Sequence, residues 1–94
     1  MIGNDHVTYN VAEKRYEMPF GHLTVYANVR KDTNRLYIDY VFAPPELRGT
    51  GAAGQFMRKL MDVVRTEKLK VVPICGYAAS WLRRHSDYHD LVSR

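Results

Sequence analysis

Residues 44–54 read PPELRGTGAAG, and the thirteen that follow, QFMRKLMDVVRTE, carry apolar residues at helical spacing. Arg48 offers a planar fork of donors that suits phosphate oxygens. Gly49 and Gly51 let a backbone adopt positive φ and come close to a ligand. A helix starting just beyond them presents unpaired N–H groups and the positive end of its dipole to an anion. The spacing therefore suits a phosphorylated ligand, and it equally suits a tight strand-to-helix connection in which glycine serves only the turn. Two familiar phosphate fingerprints, G-x-x-x-x-G-K-[ST] and G-x-G-x-x-G after a first strand, are absent. The second chemically interesting residue is Cys75, the only cysteine, at the end of VVPIC. A nucleophilic role would require thiolate, and so a depressed pKa or an adjacent base. A lone cysteine at a strand end otherwise packs as a small apolar side chain.

The elements that must position these residues follow from hydrophobic period. HVTYNVAEKRYEM alternates in part, with Val7, Tyr9 and Val11 on one side. HLTVYANVR sets Leu23, Val25, Ala27 and Val29 against Thr24, Tyr26 and Asn28. RLYIDYVFA sets Leu36, Ile38, Tyr40 and Phe42 against Tyr37, Asp39 and Val41. Turn chemistry separates the runs at PFG, residues 19–21, and KDTN, residues 31–34. This predicts an antiparallel meander of three strands, the last with an apolar tail buried on both faces. From Ala53 the period becomes helical, with Phe56, Met57, Leu60, Met61 and Val64 on the apolar side. VVPIC predicts a strand parallel to the one before the helix. Pro73 within it lacks a donor, so that strand must be an edge, bulged, or drawn away from a neighbour. Ala78, Trp81, Leu82 and His85 predict a second helix, followed by a short tail.

Composition bounds the function classes. Ninety-four residues, 46% of them hydrophobic, suffice for one folded domain spanning residues 1–94. One cysteine excludes an intrachain disulfide and a cysteine-based zinc cluster, and no metal site is expected. MIGNDHVTYN lacks the pattern of a signal peptide, and VVPICGYAASWL is far too short to span a membrane. A reduced, cytoplasmic protein with no membrane partner is the expectation. The net charge of +4 and pI near 9.4 favour an anionic ligand or partner. Nucleic acid is an unlikely partner, because the basic residues are scattered and the aromatics lie at strand-core spacing.

The segment Arg48-Gly49-Thr50-Gly51-Ala52-Ala53 fits R-x-x-G-x-A, the pyrophosphate-binding segment of the GNAT (Gcn5-related N-acetyltransferase) superfamily. Residues 41–92 resemble, almost end to end, a small GNAT-like family with VPPELRGKGIA followed by LKVxPxCxYVxxYLxRHPEYxDL. The resemblance implies a minimal α/β (α+β) fold. A mixed sheet would have an antiparallel N-terminal meander, a strand–helix–strand acetyl-CoA core and a short C-terminal helix, and it would lack the last two strands of larger GNAT domains. It implies acetyl-CoA or coenzyme A in a cleft where two parallel strands splay, with Tyr40, Val41, Phe42 and Ala43 on the first strand. Arg48, Gly49, Thr50, Gly51, Ala52 and Ala53 would then hold the pyrophosphate, and Pro73 falls where the sheet opens.

The family keeps a cysteine at the position of Cys75, which could take the acetyl group or line the site while an amine attacks directly. Its HTxVPPEL places a histidine where this chain has Tyr40 and a threonine where it has Val41. A phenol is a poor base at neutral pH, yet it can donate to a leaving thiolate. Arg83 and Arg84 either help hold the nucleotide phosphates or form a solvated helix end; Tyr77, Trp81 and Tyr88 are expected to fill the tail, largely as core. The expected function is acetyl-CoA-dependent N-acetylation of a protein lysine or small amine by a monomer or weak dimer, with Cys75 and Tyr40 as the catalytic candidates. The alternative is a coenzyme A or acyl-CoA binding module with little catalysis.

Overall fold

The computed structural model describes residues 6–93. Five strands form one sheet in sequence order: β1 (Thr8–Asn10), β2 (Arg15–Phe20), β3 (Leu23–Lys31), β4 (Arg35–Phe42) and β5 (Lys70–Pro73). The first four are antiparallel, and β5 lies parallel to β4. Helix α1 (Ala52–Thr66) crosses from β4 to β5, and α2 (Gly76–Arg84) follows. Short 3₁₀ turns occupy Pro45–Leu47 and Ser86–Leu91.

The predicted strand–helix–strand unit is present, and of the three arrangements open to the strand of Pro73 the structure shows an edge strand whose pairing stops at Pro73, opposite Ile38. The N-terminal meander has four strands, not three. Residues 11–14 fold back as a turn, helped by Asn10 Oδ1, which accepts the Glu13 N–H at 3.0 Å, and by Lys14 at φ 55°. Pro19 and Phe20 belong to β2, so the turn begins at Gly21, whose φ is 65°. The next turn rests on Asp32, whose Oδ1 accepts the N–H groups of Asn34 and Arg35 at 3.0 and 2.8 Å.

One face of the sheet is covered. Phe56, Met57, Leu60, Met61 and Val64 of α1 are fully buried with Val25, Ala27, Leu36, Ile38 and Val71 of the strands. Trp81 and Leu82 of α2 and Leu91 of the last turn complete the same cluster. Each such large apolar side chain contributes about 1.5–3 kcal/mol on removal from water. The α1 helix forms because its apolar residues recur on one side while Gln55, Arg58, Lys59 and Asp62 remain on the other. It ends where Lys68 turns left-handed, at φ 59°, and donates its N–H to Arg65 O.

Between Asn28 and Val29 the β3–β4 register shifts. Val29 pairs with Ile38 and Asn28 with Tyr40, which leaves Asp39 as the extra residue of a β-bulge. The bulge reverses the alternation expected for this strand. Leu36 and Ile38 are buried, but Tyr40 and Phe42 fall on the opposite face, where Phe42 stacks near Tyr26 with ring centroids 5.2 Å apart. Val41 takes their place against the core. The apolar tail of β4 is thus only half-buried.

Candidate functional site

β4 and β5 diverge after Ile38 and Pro73. The Ile38 carbonyl accepts the N–H groups of both Ile74 and Cys75 at 3.0 Å, and beyond it no described strand pairs with β4 on that side. In the gap lies a cavity of about 410 Å³, lined by the second half of β4 (Tyr40, Val41, Phe42, Ala43), by Leu47, Arg48, Gly49 and Gly51 of the connection, by Ala53 and Gly54 of α1, and by Tyr77 of α2. That volume lies within the range of small-molecule sites.

The connection is shaped to leave donors free. Gly49 and Gly51 are left-handed at φ 82° and 87°, and Gly51 caps α1 without any side-chain bond to the helix. Thr50 braces the turn, its hydroxyl bonding the Leu47 carbonyl and accepting the Ala52 N–H at 3.2 Å. The first intrahelical bond runs from Gln55 N–H to Gly51 O at 3.0 Å. Among the described residues the N–H groups of Gly49, Gly51, Ala53 and Gly54 find no acceptor, and all four residues line the cavity. A Cβ built at Gly49 or at Gly51 meets nothing within 4 Å. Arg48 arches back so that its Nε donates to Ala43 O at 3.1 Å, and it forms no ion pair with a described residue.

Of the residues singled out in the sequence, Tyr40, Val41, Phe42, Ala43, Arg48, Gly49, Gly51 and Ala53 thus line one cavity, while Thr50 and Ala52 support its wall. Cys75 caps α2, is half-buried against the core and is not among the lining residues. Arg83 lies elsewhere. It borders a separate hollow of about 310 Å³ with Pro73, Leu82 and His89, because the last turn of α2 points away from the glycine loop. Arg84 bonds the Ser80 hydroxyl one turn back and does not line the cavity either, although its charge reaches Tyr77 two turns away on the same helix side.

Tyr77, which the sequence placed in the tail without a role of its own, lies in the cavity wall. Burial pushes its phenol above the ordinary tyrosine value, the positive charge of Arg84 offsets part of that rise, and negative charge at Cys75 adds to it. The only signal in the sequence was its place two residues beyond Cys75, in the first turn of a helix that opens at the splay. The other aromatics of the tail do pack. Trp81 stacks on His85 at 3.9 Å and on Tyr88 at 5.5 Å, and the rings of His85 and His89 bond the carbonyls of Trp81 and Leu82 near the end of α2.

A splayed parallel pair thus lies beside a glycine loop with unpaired donors and a helix leading away from it. The family described as GCN5-related N-acetyl-transferase matches residues 8–91, and the chain belongs to it. Its fold is similar to the solution structure of a GCN5-like protein from Staphylococcus aureus. The two are 21% identical and superpose with a TM-score of 0.73 over 98% of this chain and 91% of that one. No curated protein matches the chain. The family is one of acetyl transfer. No helix among the described residues is long and apolar enough to cross a membrane.

Proposed function

We propose that this protein transfers an acetyl group from acetyl-CoA directly to an amine, in the cavity between β4, the glycine loop and Tyr77. The observation that carries the reading is the set of four N–H groups without an acceptor among the described residues, from Gly49, Gly51, Ala53 and Gly54, all of which line the cavity together with Arg48. They suit a pyrophosphate, which accepts several bonds at once and gains from the helix dipole. The open side of β4 at residues 39–42 suits an extended amide-bearing arm laid down like a further strand, and this leads the thioester towards Tyr40 and Tyr77.

Chemistry at that end needs a nucleophile brought close and a proton for the departing thiolate. Tyr77 keeps its proton through the physiological range, since burial disfavours its phenolate, and its hydroxyl can donate to the leaving sulfur. Tyr40 sits on the opposite wall, about half exposed, where it guides the incoming amine. Cys75 packs beside the site as a neighbour of Tyr77 and forms no bond to the acetyl group.

Gly51→Asp tests the reading. Its Cβ meets open space, and the left-handed φ of 87° costs a side chain there about 1–2 kcal/mol. A folded domain tolerates that cost, so the fold is expected to persist while the carboxylate occupies the anion position. Calorimetry is expected to show coenzyme A binding lost in this variant with its circular dichroism preserved; unchanged affinity would overturn the site. In Cys75→Ala, acetyl transfer is expected to continue, whereas its loss with coenzyme A binding intact would restore the thiol as nucleophile.

A further inference from the structure

The acceptor end of the cavity constrains the amine, an inference that rests on the function just proposed. Of the titratable and charged groups near that end, Tyr40 on β4 and Tyr77 on α2 line the cavity, while Cys75 at the start of α2 and Arg84 near its end act on Tyr77 from outside the lining. Arg48 lies at the other end, committed to phosphate in the proposed function. The carboxylate nearest along β4 is Asp39, and Arg30 grips it with two bonds of 2.8 Å and holds it below the usual carboxylate range. It is therefore a weak base. Among the described residues, no carboxylate and no histidine lines the cavity. An ammonium arriving here meets no anion among the described lining residues to hold it, and the positive charge of Arg84, which reaches Tyr77 from outside the lining, further disfavours the charged form.

The surface around the opening is apolar. Tyr40, Ile74 and Tyr77 are 49%, 57% and 37% exposed, and they are three of the few large apolar side chains that face water among the described residues. Tyr40 and Tyr77 border the cavity from opposite walls, and Ile74 sits at the point of divergence, its N–H bonded to Ile38 O. Exposed apolar surface gathered at the mouth of a cleft is a contact surface for something apolar.

We propose that the acceptor is a weakly basic amine on an apolar body, already neutral near pH 7, as is the α-amine of a peptide with an apolar first residue, and that lysine side chains are poor acceptors. Such an amine makes the step self-contained. Its nitrogen lone pair forms the C–N bond as the C–S bond breaks, and the thiolate takes the proton of the Tyr77 hydroxyl. The new amide nitrogen then gives up one proton, which returns to Tyr77. Protons lost by nitrogen equal protons gained by sulfur, so no further base takes part. A lysine ammonium must first shed an additional proton. At pH 7.5 about a third of peptide α-amines are neutral, against about one lysine in a thousand.

The test uses acetyl-CoA with three acceptors, products being read by mass spectrometry. One is a lysine-free tetrapeptide beginning with isoleucine, the second the same peptide N-acetylated with a single lysine, and the third aniline. At pH 7.5 the free α-amine or aniline is expected to exceed the lysine peptide in kcat/KM by roughly tenfold or more, following the neutral fractions. Which of the two leads tells whether the natural source is a peptide or a small arylamine. Ile74→Asp, an exposed change that adds a carboxylate to the rim, is expected to shift the ratio several-fold towards lysine. A lysine peptide equal or better at pH 7.5, or an unchanged ratio in Ile74→Asp, overturns the proposal. Acetyl-CoA that binds with none of the three acetylated overturns the acceptor class alone, whereas acetyl-CoA that fails to bind overturns the function beneath it.

Discussion

Tyr77 and Tyr40 face the same cavity with the same functional group, at 37% and 49% exposure, and differ in position, Tyr77 opening α2 beside Cys75 and Tyr40 lying on β4. Burial raises the Tyr77 phenol, so it remains a donor across the working range. Tyr77→Phe removes the donor and little volume. Coenzyme A binding is expected to be kept while kcat falls by about 10²-fold, the usual scale of a lost general acid. An unaltered kcat would mean that solvent protonates the thiolate. The glycines, Arg48 and the apolar residues of β4 were legible in the sequence because their chemistry is local. The side of the strand on which Tyr40 lies was not. It depends on Asp39 being an extra residue, and a bulge is set by the partner strand, which no local period reports. Arg83 and Arg84 were singled out by charge, which shows in sequence, whereas their direction, which leaves both outside the cavity lining, does not.

At the scale of elements, α1 and β5 were readable from period and from Pro73, whereas the N-terminal hairpin was hidden. Residues 11–14 carry neither glycine nor proline, and their turn is made by Lys14 in a left-handed conformation and by the Asn10 side chain. Lys68 makes a similar substitution at the end of α1, at φ 59°. A side chain there costs about 1–2 kcal/mol, of which glycine returns part through the freedom it adds to the unfolded chain. Lys68→Gly is therefore expected to stabilise the fold by up to about 1 kcal/mol, seen as a higher urea midpoint with an unchanged slope. A lower midpoint would show that the lysine side chain contributes more than its backbone loses.

For the molecule as a whole, stability should fall on the acid side for an identifiable reason. Glu17 is held below the usual carboxylate range chiefly by its bond to Arg15 at 2.7 Å, with Asn10 adding a second at 3.0 Å, and burial opposes both. A carboxylate whose pKa is lower folded than unfolded stabilises the fold fully above its ordinary value, and loses that contribution as pH falls through the folded value. Glu17→Gln is expected to cost about 0.5–1 kcal/mol at pH 7, and that cost is expected to shrink as pH falls through the lowered folded value of Glu17 and the carboxylate is protonated. A cost that persists in acid would assign the loss to packing.

The bare side of β4 has a consequence for handling and for the cell. Residues 39–42 present backbone donors and acceptors along a margin that no described strand covers, beside the apolar Tyr40 and Ile74. Such a margin is a template for a strand from another molecule, and proteins usually protect it with charge, proline or a covering element. Here the protection would come from the ligand itself. Concentrated protein without coenzyme A is expected to self-associate reversibly by light scattering, and saturating coenzyme A to return it to single molecules. Association indifferent to the ligand would place the sticky surface elsewhere. Colloidal solubility would then follow the acyl-CoA supply, and a cell short of the cofactor would lose the protein from solution before losing its fold.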